Sequence, residues 1–199
     1  MRILQIAVAA SLAVVAAARS AAAQMDDKQF YAGIGFAFGS FDMSANGFAL
    51  PTTYKSNIAY YGELGLRLKP AFSLGFEADY YTKSNSGTTF KVWYYNAAAA
   101  FYPARGSDLW IKVLAGYANT TGDVTYGGGG YGGGSSMGGF DMGLGVGYDW
   151  RLGADKKYAI VPFVQYLAQL SGGTFSNDPA NLSYRSSLFM IGGAIALLH

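Results

Sequence analysis

Phe140-Asp-Met-Gly-Leu-Gly-Val-Gly-Tyr-Asp-Trp150 is the stretch whose reading decides the fold. Its even positions, Phe140, Met142, Leu144, Val146, Tyr148 and Trp150, are all large and apolar. Its odd positions, Asp141, Gly143, Gly145, Gly147 and Asp149, are all small or charged. A period of two means a β-strand whose two faces meet different surroundings. One face is greasy from end to end with aromatics at its tips. A strand that crosses a bilayer needs about this length and this pattern.

Composition restricts what can surround such a strand. Charged residues make up 13% of the 199-residue chain, aromatics 16%, and there are 28 glycines and no cysteine. A soluble domain draws about 25% of its residues from Asp, Glu, Lys and Arg. The lack of cysteine excludes a disulfide scaffold, thiolate catalysis and Cys-ligated metal. A net charge of +2 gives no electrostatic footprint for nucleic acid. Residues 1–23 carry Arg2, an apolar run from Ile3 to Ala18, and Ala21-Ala22-Ala23 ahead of Gln24. That is the layout of a secretory signal peptide cleaved after Ala23, leaving residues 24–199 as the mature domain. After it, no apolar run is long enough for a membrane helix, so a membrane location would require a closed barrel.

Seven further segments repeat the alternation: Phe30–Ser40, Ile58–Leu68, Phe72–Tyr81, Val92–Tyr102, Leu109–Asn119, Tyr158–Leu170 and Ser187–Leu198. Tyr158–Leu170 is apolar on both sides except for Gln165 and Gln169, and its Pro162 removes a ladder donor. Connections after the second, fourth and sixth strands are short. Those after the first, third, fifth and seventh are longer and polar: Phe41–Asn57, Thr82–Lys91, Thr120–Gly139 and Ser171–Ser186. The predicted fold is all-β, a single eight-stranded antiparallel up-and-down transmembrane barrel with short periplasmic turns and longer extracellular loops. A soluble barrel of the lipocalin kind would put charge outside and bulk inside. Here the polar face holds too little bulk for a soluble core and too little charge for a surface.

In this pattern the chain resembles the small outer-membrane β-barrels of Gram-negative bacteria. These include the transmembrane domain of outer membrane protein A, outer membrane proteins X and W, and the opacity-type surface proteins. The resemblance covers the mature chain from about Gln29 onward and rests on strand pattern rather than on a short motif. It implies an outer-membrane location and insertion guided by a carboxy-terminal strand ending in an aromatic. The last strand has the alternation (Phe189, Ile191, Gly193, Ile195, Leu197) but ends Leu198-His199, without that aromatic.

The inward charges expected of such a barrel are Glu63, Arg67, Glu77, Asp79, Lys112, Asp141, Asp149 and Arg151. If the Pro70 turn pairs Leu68 with Phe72, Glu63 faces Glu77 across the strands. Two like charges there require Lys112, Arg67, a bound cation or a proton to offset them. The inward glycines read as room for Tyr31, Tyr61, Tyr81, Tyr94 and Trp110, small set against large, rather than as an open lumen. The Tyr126–Met137 stretch lacks the Lys-Ser/Thr of a phosphate-binding loop and reads as an external tip with Tyr126 and Tyr131 as contact candidates. The only histidine is His199, at the end of the last strand, so no His-based nucleophile pair is available and no enzyme, metal or cofactor is expected. Expected partners are outer-membrane lipids and a surface or host ligand taken by the loops, on a monomer. The expected function is a structural or adhesive surface barrel. The alternative is a narrow channel or carrier for small, hydrophobic solutes.

Overall fold

The computed structural model describes residues 29–46, 48–49, 54–85, 88–103, 108–124, 133–154, 156–175 and 182–198. The predicted signal sequence, Tyr126, Tyr131 and His199 lie outside these residues. The eight strands are β1 (Gln29–Ala45), β2 (Tyr54–Lys69), β3 (Phe72–Asn85), β4 (Thr88–Phe101), β5 (Leu109–Val124), β6 (Gly133–Tyr148, resuming as Trp150–Leu152), β7 (Tyr158–Gln169) and β8 (Tyr184–Leu198). Each pairs antiparallel with its neighbours in sequence, and β1 closes on β8 from Tyr31↔Leu198 to Ala45↔Tyr184. Closure is what lipid demands, because a free strand edge would leave backbone N–H and C=O groups without partners in hydrocarbon.

The face that points out is the greasy one. Ile34, Leu144 and Ile195 are 76%, 63% and 65% exposed, while inward Leu114, Leu167 and Met190 are fully buried. Between the two aromatic rims, no outward position among the described residues carries a charge. That is the reverse of a soluble barrel and matches an apolar band facing acyl chains. The upper rim runs through Tyr60, Tyr80, Trp93, Tyr95, Tyr117 and Phe140; the lower passes Phe72, Phe101, Tyr148, Trp150 and Tyr158. Phe30, which shares the parity of lipid-facing Ile34, Phe36 and Phe38, is instead buried where β1 begins.

Strand length departs from the sequence reading. The strands reach 12 to 17 residues, against the roughly 9–11 that a bilayer needs. Much of the polar sequence read as loop, including Thr82–Asn85, Thr120–Val124 and Gly133–Gly139, is strand standing above the membrane. Outside lipid neither face need be apolar, so the period-two signal fades although the hydrogen-bonded ladder goes on.

Pro162 also sits inside a strand. The β6–β7 registers Gly147↔Phe163 and Trp150↔Ile160 are in phase, and the ladder lapses between them at Tyr148 and Asp149. Pro162 has no N–H to return, so the gap falls where its chemistry requires. The Asp149 N–H turns to the other neighbour and donates to Asp108 O at 2.8 Å.

The interior is filled by the small-against-large rule. The Trp110 ring lies over Gly145 and Gly147, and the Tyr31 ring over Gly65 and Gly75; a methyl group on Gly147 or Gly75 would overlap them. Towards the extracellular end, Phe41 stacks on Tyr81 with centroids 5.7 Å apart, beside buried Val92 and Leu188. Leu144 lies midway between the two rims of β6. Leu144→Arg is expected to cost about 2–4 kcal/mol of unfolding free energy in micelles or liposomes; an unchanged value would contradict the lipid-facing assignment.

Candidate functional site

The polar interior is built by register. The β2–β3 hairpin closes at Lys69↔Phe72 through Pro70 and Ala71, with a bulge between Arg67 and Lys69. The bulge takes up Leu68 and leaves the rest of the pairing as expected, with Glu63 directly opposite Glu77. Two carboxylates side by side in a buried site repel unless a cation stands between them. Lys112, two strands further on in β5, supplies it. Its Nζ donates to Glu63 Oε2 at 2.5 Å, to Glu77 Oε2 at 2.8 Å and to the Tyr61 hydroxyl at 2.8 Å. It also lies 4.6 Å from the centre of the Trp110 ring, where the π face adds to its stabilisation. An ammonium has three donors, and all three are used.

Gln165 completes this layer from β7. Its Nε2 donates to Glu77 Oε1 at 2.6 Å and lies 3.4 Å from Asp79 Oδ2, which brings the third carboxylate to the same cluster. Thus Glu63, Glu77, Asp79 and Lys112 come together as one network, with Tyr61 and Gln165 as neutral members.

The other predicted charges stand apart. Arg67 is not the counter-ion of the glutamates: its guanidinium sits 3.9 Å over the Tyr102 ring and Nη2 donates to Pro70 O at 3.0 Å. Asp149 accepts from Trp110 Nε1 at 2.9 Å and from the Tyr102 hydroxyl at 3.1 Å. Arg151 lies at the rim of the same end, paired with Asp108 at 2.9 Å and partly exposed. Asp141 is buried two inward positions above the lysine, in the row that runs Asn96, Gly116, Asp141, Gln169. There Gln169 Oε1 accepts from the Ser186 N–H and hydroxyl, and Ser186 meets the Tyr94 hydroxyl at 3.2 Å.

Three participants escape the list of inward charges. Gln165 hides because β7 is apolar on both faces; its place in the odd row Val161, Phe163, Gln165, Leu167, Gln169 is the signal that reveals it. Tyr102 and Asp108 flank a turn, where alternation carries no information.

A concavity opens at the short-turn end, lined by Tyr31, Arg67, Tyr102, Trp110, Lys112 and Asp149. It offers space for about 20 Å³, room for a water or so rather than a solute. Among the described residues, no group of three or more His, Cys, Asp or Glu is arranged to hold a metal ion.

A closed barrel that is greasy outside and polar at its centre defines a class, and comparison with known proteins agrees. The chain belongs to the family of the outer membrane protein beta-barrel domain, whose model matches residues 7–161. The protein is therefore one of the bacterial outer membrane. No curated protein matches the sequence. Among solved structures it is similar to Ail, the attachment invasion locus protein of Yersinia pestis, solved in complex with the heparin analogue sucrose octasulfate. The TM-score is 0.58 at 11% identity, over 85% of this chain and 99% of that one. Neisserial surface protein A gives a TM-score of 0.50 at 16% identity, over 84% and 96%. A major outer membrane protein of Thermus thermophilus gives 0.50 at 11%, over 87% and 100%. At such identities the likeness is one of fold.

Removing Lys112 would leave Glu63 and Glu77 facing each other without a cation. Lys112→Met is expected to destabilise the barrel by about 3–5 kcal/mol, the range for breaking a buried ion pair from one side. Adding Glu77→Gln should recover part of that loss. Denaturant titration of the refolded variants checks both, and full stability in the single variant would contradict the network.

Proposed function

We propose that this protein is a surface barrel of the outer membrane with a structural or adhesive role, worked by its extracellular segments. The observation that carries this reading is the filled interior. Trp110, Lys112 and the two glutamates occupy the centre, and Phe41, Tyr81, Leu114 and Leu167 are packed towards the external end. Strands that run on above the membrane then make a stiff platform for the loops they carry.

The chemistry of that outer surface is mild. Phe41–Asn57, Thr82–Lys91, Thr120–Gly139 and Ser171–Ser186 hold Lys55, Lys83, Lys91 and Arg185 against Asp42, Asp123 and Asp178. A single excess positive charge favours aromatic and hydrogen-bonded contact over capture of a polysulfated sugar such as the ligand of the Yersinia protein. Tyr126 and Tyr131, spaced by glycines, suit such contact. The alternative of a narrow channel or solute carrier has less support, because among the described residues the wall ladders between the two aromatic rims lapse only at Pro162 and the concavity admits little more than water. No catalytic activity is proposed.

Two measurements test the reading. Refolded protein in planar bilayers is expected to show no steady conductance, and liposomes no sugar-driven swelling; open-channel steps would overturn it. Deleting Gly127–Gly132 is expected to leave heat-modifiable folding intact and to abolish cell or matrix binding by cells that display the protein. Binding that survives the deletion would place the contact elsewhere.

A further inference from the structure

Asp141 stands out among the inward charges because no described residue answers it. It is fully buried, and neither of its carboxylate oxygens has a hydrogen-bond partner among the described residues. The other inward acids are met. Lys112 bridges Glu63 and Glu77, Gln165 lies against Glu77 and Asp79, and Asp149 accepts from Trp110 and Tyr102. The cations stand elsewhere. Lys112 lies two inward positions below Asp141, and its three donors are already engaged. Arg67 and Arg151 are at the short-turn end, and Lys83 follows Tyr81 towards the external end of β3. An ionised carboxylate left alone in such a place costs far more than an unmet neutral group.

The neighbours of Asp141 define what would answer it. Asn96 shares its row, with Gly116 of β5 between them. A methyl group on Gly116 would come within 2.7 Å of Asn96 Oδ1, so the amide oxygen reaches over the glycine. Asn96 is itself fully buried, and neither Oδ1 nor Nδ2 makes a hydrogen bond. On the other flank Gln169, the cross-strand partner of Asp141, turns Oε1 to Ser186 and leaves Nε2 unmet. Two amide N–H groups therefore share a row with a buried carboxylate, and neither donates to it. Above the row, the hydroxyls of Tyr94 and Thr120 lie 3.2 and 3.5 Å from Ser186 Oγ. These groups are turned around a common space and not towards one another.

We propose that Asp141 and Asn96 hold a monovalent alkali cation inside the barrel. Its protein donors are the three unmet oxygens, Asp141 Oδ1 and Oδ2 and Asn96 Oδ1, and water completes its shell. Oxygen donors of this kind select hard ions. One carboxylate balances one charge, whereas a divalent ion would leave a net positive charge buried in place of the negative one. The absence of any cluster of three acidic or imidazole side chains among the described residues agrees with a singly charged occupant. The site needs neither the loops nor the Lys112 network. It goes beyond the surface role proposed above, because it makes the stability of the barrel depend on the salt around it.

The test is thermal unfolding, followed by tryptophan fluorescence, of protein refolded from urea into non-ionic detergent. Refolding and unfolding are done in sodium, potassium or tetramethylammonium chloride at equal ionic strength. Tetramethylammonium is too large to enter among packed side chains. The wild-type midpoint is expected to be about 5 °C or more higher in sodium or potassium chloride than in the tetramethylammonium salt. That is the shift given by an ion at roughly a hundred times its dissociation constant. Asp141→Asn keeps the side-chain shape and removes the charge, and should show one midpoint in all three salts. Asn96→Ala keeps the carboxylate and removes one donor. It should at least halve the difference, and it keeps the test decisive should Asp141→Asn misfold. Asp149→Asn, at an acid that has its own protein donors, should retain the full difference. Equal wild-type midpoints in the three salts, the result a protonated Asp141 would give, would overturn the proposal. So would a difference that survives in Asp141→Asn or disappears in Asp149→Asn.

Discussion

A backbone in hydrocarbon has no water to fall back on, and this constraint orders everything else in the molecule. Each peptide group within the membrane must find its partner in a neighbouring strand, so the sheet has to close. Closure of β1 on β8 fixes which residues face lipid and which face each other. One lapse is instructive. At Pro162 the ladder to β6 stops and then resumes in phase, so the wall tolerates a missing donor where the strands on either side of the gap hold it in place. Side chains fill the space that closure leaves, and they do so in layers. An ionic network occupies the centre, an aromatic and arginine layer the short-turn end, and an apolar layer the external end.

Most of this was legible in the sequence, and the reason is solvent contrast. Where one face meets lipid and the other a packed interior, alternation must be strict, and Phe140–Trp150 shows it without exception. The opposition of Glu63 and Glu77 could be derived from a two-residue turn, because register is local within a hairpin. Their counter-charge was not local. Sequence narrows it to Lys112, Arg67 or a bound cation, and only the curvature of the closed sheet brings β5 across to β2 and β3. Arg67 lies on β2 itself, and yet it turns to Tyr102 at the barrel end.

What the sequence obscured follows from the same contrast. Above the membrane both faces are wet, so the strand extensions of β3, β5 and β6 read as loop. In β7 both faces are apolar, one for lipid and one for packing against Tyr61, whose ring lies 4.7 Å from Phe163. Gln165 then looks like an interruption when it is a member of the inner row. The aromatic contacts of the upper rim were hidden differently. That Tyr60, Tyr80, Trp93 and Tyr95 touch on the outer wall is a property of register across three strands.

The Lys112 network also bears on how the barrel is made. Its four charged members come from β2, β3 and β5, and the amide that completes it comes from β7. Because side chains alternate, a slip of one residue in β5 would turn its lysine out into acyl chains and Ile111 and Val113 inward. A slip between β2 and β3 would separate the two glutamates. The network therefore forms only when several pairings are simultaneously in register, and each misregistered sheet leaves an ion stranded. In a chain whose hydrophobic face is nearly degenerate along its length, a single buried cation acts as a proofreading device for assembly: it gives correctly threaded strands an energetic signature that grease alone cannot provide.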